Sequence, residues 1–204
     1  MKDVTTVSFS LVVPDLKTRS LHNLMVLHVA KELLAGFEGP FWRAIRGKGL
    51  SYDFGLLPRL DQGYECFYLS DCSAPVEALE AAASILEEYA DKGVSELELD
   101  GARGAMCYSL CDSMDDVVLD ALTRIADGKD AHMSKMALKE LGMVTKEEVE
   151  SCIRDELSRI FEVELTCGVM TCPEDKVEEF DEELKEMGYE TVVLSFGELL
   201  QQGF

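Results

Sequence analysis

Histidine is scarce in this chain: His22, His28 and His132 are all it has. A zinc site of the H-E-x-x-H or H-x-x-E-H kind needs two histidines one helical turn apart and a glutamate at a fixed offset. His22 and His28 are six residues apart, on opposed faces of a helix, and neither has a carboxylate at either offset. They read as core-edge or surface histidines, and His132 as a helix-start residue. Serine and cysteine are absent from any G-x-S-x-G elbow, and a Cys–His dyad cannot be picked from spacing. Arg46-Gly-Lys-Gly49 is too short for a Walker A loop, and the pairs 107/111 and 167/172 are not C-x-x-C. No catalytic apparatus is visible.

Long apolar runs are missing too. Nothing approaches the roughly 18–20 unbroken apolar residues of a membrane span. The opening MKDVTTVSFSLVVPD alternates polar and apolar residues, so it reads as a strand and not as a signal peptide. Basic residues run short after position 60. Residues 1–60 hold 8 Lys/Arg against 5 Asp/Glu, whereas 61–204 hold 11 against 35, within a net charge of −21. The first part is about +3 and the remainder about −24, which would repel phosphates and argues against nucleic acid as a partner. Solvated helix faces account for the acidic part; a field that attracts basic peptides is the sharper alternative. Seven cysteines, an odd number set among apolar neighbours, point to reduced, mostly buried thiols. An intracellular protein is therefore expected, cytoplasmic in preference to mitochondrial.

What is present suits one α+β domain over residues 1–204, with 47% apolar residues to build its core. Residues 4–13 read as a strand, and Thr18 or Ser20 can cap a helix with a wide apolar face from Leu21 to Leu34. A short helix comes next over Phe41–Arg46. Leu50–Leu57 and Tyr64–Ser70 alternate as a hairpin with a loop of about six residues. Helices are expected near 76–91, 95–113, 115–127, 130–141 and 145–157, the last opened by a Thr145–Glu148 capping box. Strand Glu162–Thr171, an acidic helix from Pro173 to about Met187, and a short strand Glu190–Leu194 complete the chain. A layered sheet with helices on one face is the expected architecture.

Gly39-Pro-Phe-Trp-Arg-Ala-Ile-Arg-Gly-Lys-Gly-Leu-Ser-Tyr-Asp-Phe54 holds the only tryptophan and three cations in six residues, Arg43, Arg46 and Lys48. A guanidinium and a phenol at a helix-to-strand junction can hydrogen-bond carbonyls or a carboxylate of an extended peptide. The adjoining strand edge could take up that peptide. A tight turn whose cations cap the preceding helix is the plain alternative.

Arg46-Gly-Lys-Gly-Leu-Ser-Tyr52 resembles the R-x-x-G-x-x-Y stretch of the non-zinc domains of insulinase-type (pitrilysin-type) zinc metallopeptidases. It is closer to presequence-protease-like and related cytosolic members than to insulysin. Gly36-Phe-Glu-Gly-Pro-Phe-Trp-Arg-Ala-Ile45, Pro14-Asp15-Leu16 and Leu141–Val149 extend the likeness loosely over nearly the whole chain. The resemblance implies an α+β, mitochondrial processing peptidase-like domain from the C-terminal part of a larger peptidase. Zinc is then expected in the parent's N-terminal domain, with no cofactor, metal ligand or catalytic residue in this chain. It also implies that Arg46 and Tyr52 bind the substrate's backbone near the scissile bond and stabilise the oxyanion. Ser51 departs from the Ala or Gly of many relatives, a small change, and Lys48 and Trp42 take no role from the family. The partners implied are a peptide and the remaining domains of the peptidase. A non-catalytic scaffold or partner subunit is the alternative, and a stand-alone peptide-binding domain a weaker third.

Overall fold

The computed structural model describes residues 5–13, 16–112, 132–195 and 197–198. Strand β1 (Thr6–Val12) is followed by helix α1 (Leu21–Ala35), then a hairpin of β2 (Ser51–Arg59) and β3 (Tyr64–Cys72). Helices α2 (Pro75–Lys92), α3 (Glu96–Asp112), α4 (His132–Met143) and α5 (Lys146–Asp155) come next. A 3-10 turn (Leu157–Phe161) leads into β4 (Thr166–Thr171), and then α6 (Val177–Glu186). The helix expected over 115–127 lies outside the described residues.

The four strands form one antiparallel sheet in the order β2-β3-β1-β4. Alternation sorts their side chains. Val7 and Phe9 of β1 stand opposite Leu69 and Phe67 of β3, and Leu56 of β2 opposite Phe67, all on the buried face. Ser8, Asp53 and Tyr68 alternate to the other face, where they line a depression of about 390 Å³. The layered α+β architecture is therefore the one expected, with helices on one face of the sheet.

α1 begins where Ser20 caps it, its hydroxyl accepting the Asn23 N–H at 3.2 Å. Its wide apolar face becomes burial on nearly all sides: Leu24, Met25, Leu27, Val29, Ala30 and Leu34 expose 1% or less. The reason is its place, with α3, α4 and α5 all packed against it. A helix apolar around most of its circumference belongs inside a domain. Burying such side chains contributes about 1.5–3 kcal/mol each.

Several boundaries move from their expected positions. The hairpin ladder runs on to Arg59 opposite Tyr64, which leaves four residues in the loop in place of six. Pro58 fits because β2 is an edge strand, where a missing N–H need not break a ladder. β4 starts at Thr166 and not at Glu162, because the 3-10 turn holds the chain until Leu165 donates back to the Glu162 carbonyl. Glu190–Leu194 is not a strand: it pairs with no other strand among the described residues, and Val192 is 83% exposed. β-branched residues alone cannot make a strand without a partner edge. The thiols are also less buried than expected. All seven are free, but Cys107, Cys111 and Cys167 are exposed, and only Cys66 and Cys72 are fully buried.

Ion pairs tie the helices together. The Thr145–Glu148 capping box forms as the sequence predicts. Glu148 also accepts from His22 Nε2 at 2.9 Å, while His22 Nδ1 lies 3.2 Å from Glu140, so one ring joins α1 to α4 and α5. The Glu148 hydrogen bond raises the pKa of His22 above its ordinary 6.5, with Glu140 adding to it. Glu148, held chiefly by the Thr145 backbone, sits below its ordinary 4.5.

A histidine with a raised folded-state pKa stabilises fully below its unfolded value and loses that contribution as pH rises through the folded one. Glu148 contributes above 4.5 and loses its part as pH falls. Urea unfolding of His22→Gln against the parent is expected to show the largest deficit, about 1 kcal/mol, between these limits. The deficit shrinks as pH is raised above 6.5 and through the raised folded-state value. A deficit that grew with pH would contradict the bridge.

Candidate functional site

The site is built outward from two anchors. Phe41 and Ile45 are fully buried, and the Phe41 ring stands edge-on to Phe67 at 5.8 Å. Between and beyond them, Trp42–Arg46 forms a π-helix where a short helix was expected. The Gly47 N–H reaches back to Trp42 O at 2.7 Å and the Leu50 N–H to Ile45 O at 3.0 Å, both five residues behind. Such single π turns are rare and recur at functional sites.

The chain then turns sharply. The Gly49 N–H donates to Arg46 O at 3.0 Å, and Gly49 has φ +75°, the left-handed region that favours glycine. Leu50 ties the turn to the end of β3. Its carbonyl accepts the N–H groups of Ser73 and Ala74 at 2.9 and 3.3 Å and the Ser73 hydroxyl at 3.2 Å. The Cys72 thiol also donates to it, at 3.2 Å. Ser51, the departure from the family pattern, is buried, and its hydroxyl lies 2.8 Å from the carbonyls of both Asp53 and Ser70. It therefore takes part in holding the start of β2. Four residues further on, Gly55 leaves room for the Tyr68 ring, which would come within 2.7 Å of any Cβ placed there.

The geometry brings the two sequence-predicted residues together. The Arg46 guanidinium carbon lies 4.4 Å from the centre of the Tyr52 ring, with both side chains exposed. A cation over a ring at an exposed position contributes about 0.5–1 kcal/mol. Beside them stands a second aromatic pair, the exposed Phe37 with its ring 6.1 Å from Trp42. The Trp42 indole N–H is buried without a hydrogen-bond partner among the described residues. A guanidinium offers donors only, and a phenol one donor and an acceptor. Such a pair suits holding carbonyl or carboxylate oxygens. It adjoins β2, which among the described residues pairs with β3 alone and so forms one edge of the sheet.

No group of three or more His, Cys, Asp or Glu among the described residues could hold a metal ion. Both ring nitrogens of His22 face carboxylates, and His28 is buried, which pushes its pKa down to about 3. These side chains do not fit a catalytic zinc.

Sequence reasoning missed one cluster of buried polar groups. Glu65 is fully buried on the core face of β3, and neither carboxylate oxygen has a partner among the described residues. Burial raises its pKa to about 8. Nearby, Arg19 pairs with Glu156 at 2.6 Å along a cleft of about 690 Å³ that Cys152 also lines. The only signal was position, since Glu65 shares the alternation of Phe67 and Leu69.

The peptidase M16 inactive-domain family matches residues 1–106, the stretch from β1 through the site and into α3. The chain belongs to that family, the zinc-free domain of insulinase-type peptidases. An uncharacterized protein of Caenorhabditis elegans is 31% identical over 39% of this chain and 8% of its own length. An uncharacterized protein of Saccharomyces cerevisiae is 22% identical over 80% of this chain and 16% of its own. The chain thus spans a small part of both relatives. An inactive peptidase domain from Bordetella parapertussis has the same fold, with a TM-score of 0.63 at 18% identity, over 83% of this chain and 93% of that one.

Gly49→Ala meets open space but an unfavourable φ. Calorimetry should show a loss of about 1 kcal/mol, and Gly49→Asn should lose less. Equal tolerance of both would mean that the turn does not hold this conformation in solution.

Proposed function

We propose that this chain is the zinc-free, peptide-binding domain of a metalloendopeptidase whose zinc is carried by another domain. The observation that carries the reading is the Arg46–Tyr52 contact, pinned at the head of an edge strand. In this reading an extended peptide lies along β2 and adds to the sheet edge. Arg46 and Tyr52 donate to the peptide carbonyl that gains negative charge in the transition state. Membership of the inactive-domain family supports the division of labour. The surrounding domains are the partners, and the exposed thiols Cys107, Cys111 and Cys167 favour a reducing, intracellular setting.

Tyr52→Phe and Arg46→Gln, each made in the polypeptide that joins this chain to its zinc-bearing domain, test the reading. Turnover of a peptide substrate is expected to fall about tenfold to a hundredfold with folding and assembly unchanged. Loss of assembly with no effect on the turnover of what assembles would favour a scaffold role. Unchanged turnover in both variants would refute a role for this pair.

A further inference from the structure

Arg43, Arg46 and Lys48 are all exposed, and none of them pairs with a carboxylate among the described residues. They cluster within six residues of a chain that has 40 acidic residues. Arg19, Lys92, Lys146 and Lys185 each face a carboxylate within 4 Å, whereas Lys17, Lys31 and Arg59 have no such pair among the described residues. Arg46 is spread over the Tyr52 ring, which leaves its N–H fork without a carboxylate partner. Lys48 lies within the turn closed by Gly49 N–H and Arg46 O, between the guanidinium of Arg46 and the start of β2 along the chain. A segment with three exposed cations, none within 4 Å of a carboxylate among the described residues, is matched in charge by an anionic ligand.

We propose that this turn selects peptides carrying a carboxylate, with Lys48 and Arg43 as its specificity residues. The inference rests on the peptide-binding reading above and adds to it the chemical class of the peptide. A planar guanidinium and a point-charge ammonium on one turn can share one carboxylate. That carboxylate has two sources, an Asp or Glu side chain or the free C-terminus of the peptide. Because the cations are exposed, the attraction is salt-dependent and modest.

The test measures binding to the 204-residue chain by fluorescence anisotropy at low salt, with three labelled peptides of one apolar sequence. One carries a glutamate and an amidated C-terminus, one a free C-terminus and no acid, and one neither. Either carboxylate peptide is expected to bind about three- to tenfold more tightly than the neutral one, an advantage that fades at high salt. Whichever of the two gains shows the source. Lys48→Gln with Arg43→Gln should abolish that advantage and leave the neutral peptide unaffected, and Lys48→Glu should reverse it. Equal affinity for the three peptides, or equal weakening of all three in Lys48→Gln with Arg43→Gln, would overturn the carboxylate proposal alone. If Tyr52→Phe and Arg46→Gln bind all three as the parent does, the underlying peptide-binding reading fails with it.

Discussion

The carbonyl of Leu50 is the point on which the site depends. Four donors from the segment Cys72–Ala74 converge on it, and they fix the start of β2 against the end of β3. On the other side of Leu50, its own N–H closes the π turn to Ile45, whose side chain is sealed in the core. The short loop between these two attachments has little freedom left, and Arg46 must lie where the loop returns, over Tyr52. Exposed side chains are thus aimed by buried backbone. That is the usual way in which a rigid scaffold presents a binding group without burying it.

The same division runs through the whole domain. α1 is enclosed by helices, and the sheet carries Phe9, Phe67 and Leu69 towards them. Polar groups in and around this core behave differently from one another. His22 is compensated by two carboxylates, and Arg19 by Glu156, so each joins elements that would otherwise touch only through apolar contact. Glu65 has no hydrogen-bond partner for either oxygen among the described residues, and burial favours its neutral carboxyl. Charge is concentrated outside, most of it negative, and the turn at Arg46–Gly49 interrupts it.

The parts of the fold with strong local signals were legible in the sequence. Ser20 and Thr145 announced their helices because capping is chemistry within four residues, and the hairpin showed in alternating residues on both strands. The Arg46–Tyr52 motif was legible as a resemblance, and its contact is seen only once the π turn has brought the ends together. What the sequence hid depends on distant partners. Glu190–Leu194 is rich in β-branched residues like a strand but pairs with none among the described residues. Glu65 looks like a surface residue until its neighbours in β1 and β2 put it on the buried face. The cysteines at 107 and 111 have apolar neighbours along the chain and yet face solvent on α3. Local composition carries no information about which side of a helix or sheet another element will cover.

The central claim is that an extended peptide is held at the Arg46–Tyr52 turn and the β2 edge. Backbone amide shifts of the isotope-labelled chain, followed by NMR as an unlabelled peptide is added, locate the contact directly. The account predicts that the changes centre on Arg46–Arg59, with β4 and the Arg19–Glu156 cleft undisturbed. Changes centred on β4 or on that cleft, with Arg46–Arg59 silent, would contradict it.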